Sequence, residues 1–65
     1  MENNKSLVKR SVLQLQRDFG NVIPIEEIIK VNPEVSQEEV MQALDELKSE
    51  GLVSLLDEES IQINI

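Results

Sequence analysis

The side chains in this chain that are able to do chemistry are almost all carboxylates. Thirteen Asp and Glu stand against six Lys and Arg, and there is neither histidine nor cysteine. Without imidazole or thiolate the chain has no disulfide, no thiol nucleophile and none of the usual structural zinc ligands. A carboxylate catalyses when a base, a nucleophile or a glycine-rich phosphate loop is set against it. Here the acids fall on positions expected to face water and no such partner accompanies them, so the chain is expected to be no enzyme and to hold neither cofactor nor metal. What remains for these groups is recognition: accepting hydrogen bonds and pairing with cations.

The charges are unevenly distributed. Net charge is −7, but residues 1–33 carry five cations and four acids, whereas residues 34–65 carry one cation, Lys48, and nine acids. Three sets of candidate contacts follow. Glu38, Gln42, Asp45 and Ser49, with Glu46 at the margin, share the outer side of one helix, which is expected to receive a protein. Lys9, Arg10 and Arg17 surround Leu13 on the outer side of another, a surface suited to an acidic, partly apolar partner. Val53, Leu55, Gln62 and Asn64 are expected on the outer face of a C-terminal hairpin, as protein contacts.

The elements that position these groups are read from periodicity and caps. Sixty-five residues allow one domain, which buries only about 60% of the surface of its unfolded chain. Residues 1–5 are expected to fray and 6–65 to form the domain. No apolar run approaches the roughly 18 residues of a membrane span, and MENNKS lacks the apolar core of a leader. An intracellular, cytoplasmic protein is the expectation.

Val8, Val12, Leu15 and Phe19 recur at helical spacing and predict an amphipathic helix over Lys5 to Phe19, closed by Gly20 in the left-handed region, with Phe19 plugging the core. Val22-Ile23 is short and extended before Pro24. Pro24 then opens a two-turn helix from Ile25 to about Val31, with Ile28 and Ile29 inward. The third helix is the best specified. Ser36 and Glu39 make a capping box, Val35 and Val40 a hydrophobic staple, and Gly51-Leu52 a Schellman stop, giving Gln37 to Glu50. Beyond it the period becomes alternating. Pairing Leu56 with Ile61, Ser54 with Ile63 and Leu52 with Ile65 turns all three isoleucines towards the helices, around the turn Asp57-Glu58-Glu59-Ser60.

This order, α+β with three helices, a short strand and a C-terminal two-stranded hairpin, resembles a winged helix-turn-helix domain over about residues 6–65. The residues that carry the resemblance are Ser36 and Glu39, the run Val40, Ala43, Leu44, Leu47, the stop Glu50-Gly51-Leu52, and the hairpin Val53 to Ile65. It is similar to the protein-docking C-terminal winged helices of the middle subunit of replication protein A and of archaeal ESCRT-III-like division proteins. The resemblance implies either a protein-docking module or a DNA-binding transcriptional regulator. In a DNA reader the third helix would enter the major groove, where Gln42 reads adenine and carboxylates accept from cytosine, but phosphate anchoring takes about 6–10 contacts in a repressor-like protein. The outer side of this helix has no Arg or Lys, and the Asp57-Glu58-Glu59 tip repels phosphate. The expectation is therefore a protein-interaction module using the acidic third helix, the hairpin edge at Ile61 to Ile65, or both. Nucleic acid is disfavoured, with Lys9, Arg10, Leu13 and Arg17 as its contacts if it binds, and a homodimer is compatible with the sequence.

Overall fold

A computed structural model describes residues 3–64 of the chain. It is α+β: α1 (Asn4–Phe19), β1 (Val22–Pro24), α2 (Ile25–Lys30), α3 (Gln37–Ser49), β2 (Val53–Leu55) and β3 (Ser60–Ile63), with the strands in one antiparallel sheet of order β1-β3-β2. This arrangement is compatible with a winged helix.

Local capping explains the helix ends. Asn3 accepts from the Ser6 N–H at 2.8 Å, so α1 starts at Asn4 rather than Lys5, and residues 3–5 of the segment expected to fray form its cap and first turn. Met1 and Glu2, also expected to fray, lie outside the described residues. At the far end the Gly20 N–H returns to the Gln16 carbonyl at 2.9 Å, with φ +74° that glycine adopts freely. α2 ends at Lys30, one residue short of the expected Val31, which serves as its C-cap.

Both ends of α3 form as its sequence predicts. The Glu39 N–H donates to Ser36 Oγ at 3.2 Å and the Ser36 N–H donates back to Glu39 Oε1 at 3.3 Å. The Leu52 N–H reaches the Leu47 carbonyl and the Gly51 N–H the Lys48 carbonyl, both at 3.0 Å, which is the paired bonding of a Schellman motif. Glu50 is therefore the cap residue and Ser49 the last helical one.

The sheet departs from expectation in two ways. First, β1 is part of it: Ile23 stands opposite Ile61 and Val22 opposite Gln62, so β3 is the central strand and the hairpin is two-thirds of a three-stranded sheet. Second, the hairpin register is shifted by one residue, with Val53 opposite Ile63, Ser54 opposite Gln62 and Leu55 opposite Ile61. Val53 is thereby buried against Ile61 and Ile63, while Leu56, expected inside, is exposed. Polar satisfaction explains the choice. The expected register would have put the Ser54 hydroxyl in the core, whereas here Ser54 Oγ accepts from the Asn64 amide at 2.7 Å outside it. The expected Leu52–Ile65 pair falls partly outside the described residues, and Leu52 accepts instead from the Asn64 N–H at 2.9 Å.

A single cluster holds the fold together, with Val8, Val12 and Leu15 of α1, Ile25 and Ile28 of α2, Val40, Ala43, Leu44 and Leu47 of α3, and the sheet's Ile23, Val53, Ile61 and Ile63. Ile29, Val35 and Leu52 close its margins. Phe19 is not among them. It is 43% exposed because α1 ends there and the next residue turns the chain away from the stripe that Val8, Val12 and Leu15 bury.

Candidate interaction surfaces

The outer side of α3 presents Glu38, Gln42, Asp45 and Ser49, all exposed as predicted. Met41, which the sequence reading left out, stands among them at 38% exposure. The acids of the neighbouring stripe have a different role. Glu39 accepts from the Asn4 amide at 2.6 Å, and the Lys5 ammonium pairs with Glu50, so the start of α1 is tied along that flank of α3. The Asn4 amide, followed by the hydroxyl and N–H of Ser36, holds the Glu39 carboxyl below its ordinary value. The hydrogen bond to Glu50 raises the Lys5 ammonium above its own. Glu39 and Glu50 are thus spent on structure, while Glu38 and Asp45 are in no ion pair among the described residues.

On the opposite flank α3 meets β2. Met41, Asp45 and Lys48 line a small hollow with Leu55, which is 48% exposed. In an antiparallel ladder successive residues direct their backbone groups alternately towards and away from the partner strand. Leu52 and Leu56 bond to β3 through Asn64 and Ser60, so Val53 and Leu55 direct their N–H and C=O groups away from it, along the outer edge of the sheet. The free edge of the hairpin is therefore β2, beside α3. The edge expected at Ile61 to Ile65 does not exist over β3, because both of its sides are paired.

The four hairpin contacts expected from sequence separate accordingly. Val53 is 3% exposed and its side chain cannot touch a partner. Leu55 remains available, on the α3 side rather than the outer face. Gln62 lies exposed on the outer face between Val22 and Ser54, and Asn64 is exposed but bonded to Ser54. Lys9, Arg10, Leu13 and Arg17 do come together: Leu13 is 38% exposed in a shallow hollow with Arg10, Gln14 and Arg17, and Lys9 is exposed beside it.

One polar tie escaped the sequence reading. Asn32 Nδ2 donates to Ser11 Oγ and to the Ile28 carbonyl, each at 2.9 Å, and Ser11 Oγ donates to the Leu7 carbonyl at 2.9 Å. Among the described residues Ser11 is the one buried polar residue, and it locks α1 to the end of α2. Its place beside the Val8-Val12-Leu15 stripe, with an asparagine ending α2, was the available signal.

The turn after β2 is ordered by its own acids. The Glu59 N–H donates to Asp57 Oδ1 at 2.7 Å and the Ile25 N–H to the Glu59 carbonyl at 2.8 Å, which holds the acidic tip against the start of α2. Among the described residues no group of three or more acids is placed to hold a metal ion, and no helix is long and apolar enough to cross a membrane. Comparison with protein-family models, with curated proteins and with solved structures gives no match to this chain.

Proposed function

We propose that this chain is a non-catalytic winged-helix module that docks a protein segment on the outer side of α3 and the adjoining edge of β2. The observation that carries this reading is the continuity of that surface. Exposed Glu38, Gln42 and Asp45 lead through Met41 to Leu55, where the backbone groups of Val53 and Leu55 point outward. A partner strand laid along β2 gains main-chain hydrogen bonds, its apolar side chains rest on Leu55 and Met41, and cationic ones meet Asp45 and Glu38. The partner is thus an extended, partly apolar, basic segment.

A DNA-binding regulator of the same fold is the competing reading, supported only by the cations on α1. Against it, the groups α3 presents outward are acids and amides, and Asp57, Glu58 and Glu59 are all exposed at the tip of the hairpin. Such a surface repels the phosphate backbone that supplies most nonspecific affinity. At about 0.15 M salt the chain is expected to bind duplex DNA with Kd of about 10⁻⁴ M or weaker. Partner capture from nuclease-treated lysate should survive in the wild type and be lost in a folded Leu55→Asp variant. Submicromolar duplex binding, or capture abolished by nuclease, would reverse the ranking.

A further inference from the structure

We infer that the outer side of α1 and the outer side of α3 are complementary to one another and join neighbouring copies of this chain, with the two helices antiparallel, so that a second copy competes with the partner segment proposed above for the Glu38–Asp45 face. The two surfaces follow one pattern. On α1, Arg10, Leu13, Gln14 and Arg17 occupy positions i, i+3, i+4 and i+7; on α3, Glu38, Met41, Gln42 and Asp45 occupy the same four positions. Each therefore reads charge, apolar, glutamine, charge along one face, with cations on one helix and carboxylates on the other.

Residues seven apart are separated by about 10.5 Å along a helix axis, so the two charges of one face are spaced to meet the two of the other. Laid antiparallel, Arg17 meets Glu38 and Arg10 meets Asp45. Leu13 and Met41, each 38% exposed, then lie between the pairs. The glutamine amides, which both donate and accept, can bond to each other. Arg17, Glu38 and Asp45 are in no ion pair among the described residues, so the contact breaks none of theirs. Arg10 already has a partner within the chain, and its guanidinium, with five N–H donors, can bond to Asp45 as well.

Because the joined patches differ, a pair made through one contact leaves the α3 patch free on one copy and the α1 patch free on the other. Used one at a time the contact is heterologous and propagates into short chains or a ring; used twice about a two-fold axis it closes a dimer. It is also small, so association is weak and shows only at high protein concentration. Charge dominates it, so raising salt from about 0.05 M to 1 M, where the Debye length is about 3 Å, dissolves it.

Sedimentation of the full chain over about 0.05–2 mM tests this. The wild type should gain mass with concentration at low salt and remain a single chain at 1 M salt. Arg17→Glu and Glu38→Arg should each weaken association at least about fivefold. The combination Arg17→Glu/Glu38→Arg should restore it, and Arg17→Glu/Asp45→Arg should not. Both double variants keep the wild-type net charge of −7, so overall repulsion cannot separate them. All the substituted side chains are exposed, and circular dichroism melts of each variant are to be run beside the sedimentation to check that it is folded. A wild type that stays monomeric at 2 mM in low salt, association indifferent to the single reversals, or recovery in the Asp45 double variant instead of the Glu38 one would each overturn the pairing.

Discussion

Replacing Val53 by Thr should cost about 2 kcal/mol, whereas Leu55→Thr and Leu56→Thr should each cost about 1 kcal/mol or less. The three positions are consecutive apolar sites in or beside one strand, yet Val53 is 3% exposed while Leu55 and Leu56 are 48% and 51% exposed. Threonine keeps the shape of valine and the preference for a strand, so the change at position 53 is confined to one methyl exchanged for a hydroxyl. A hydroxyl taken from water into an apolar core without a partner costs about 1–3 kcal/mol in proteins. At the two leucines the side chain is already half in water and threonine can stay hydrated. A chain of this length has a total stability on the order of 3–10 kcal/mol, so the loss at Val53 is a large fraction of it. It should lower Tm by about 8–16 °C. Urea unfolding at 25 °C, with melts followed at 222 nm, provides the comparison. If Leu56→Thr proved the costly variant and Val53→Thr the mild one, the register with Leu56 opposite Ile61 would hold in solution and the burial of Val53 would be refuted.

Removing the Ser11 hydroxyl by Ser11→Ala takes away one of the two acceptors of the Asn32 amide and leaves it the Ile28 carbonyl, and a cost of about 0.5–1.5 kcal/mol is expected. A double-mutant cycle with Asn32→Ala should show the two losses to be non-additive, and strict additivity would deny the tie. Gly51→Ala should cost about 1–2 kcal/mol through backbone conformation alone, since φ is +79° and no atom lies within 4 Å of the added carbon; an unchanged denaturation midpoint would contradict the Schellman stop. The Glu39 carboxyl is held below its ordinary value of 4.5, first by the Asn4 amide and then by Ser36, so the ionised form is favoured in the folded state. Its contribution to stability is complete above about pH 4.5 and is lost as pH falls through the lower native value. Glu39→Gln should accordingly flatten the acid limb of a Tm-against-pH profile, and a Glu39 resonance titrating at the ordinary value or higher would remove the basis for this.

Signals that close within a few residues were legible in the chain from the outset. The Ser36–Glu39 box, the Gly51-Leu52 stop and the apolar stripes of α1 and α3 depend on groups no more than one or two turns apart, so backbone geometry and residue type determine them without reference to the rest of the molecule. The exposure of Glu38, Gln42 and Asp45, and of Arg10, Leu13 and Arg17, followed from the same periodicity. What only the tertiary structure decided involves residues distant in sequence or competing locally. Leu52, Val53, Leu55 and Leu56 offer two apolar alternations. The choice between them came from the Asn64–Ser54 bond, which keeps a hydroxyl out of the core, and from the engagement of the Leu52 N–H in the helix stop. The pairing of Ile23 with Ile61 across 38 residues made β3 the central strand and moved the open edge to β2, against α3. No alternation in the hairpin could reveal that, because an edge is defined by what lies beyond it.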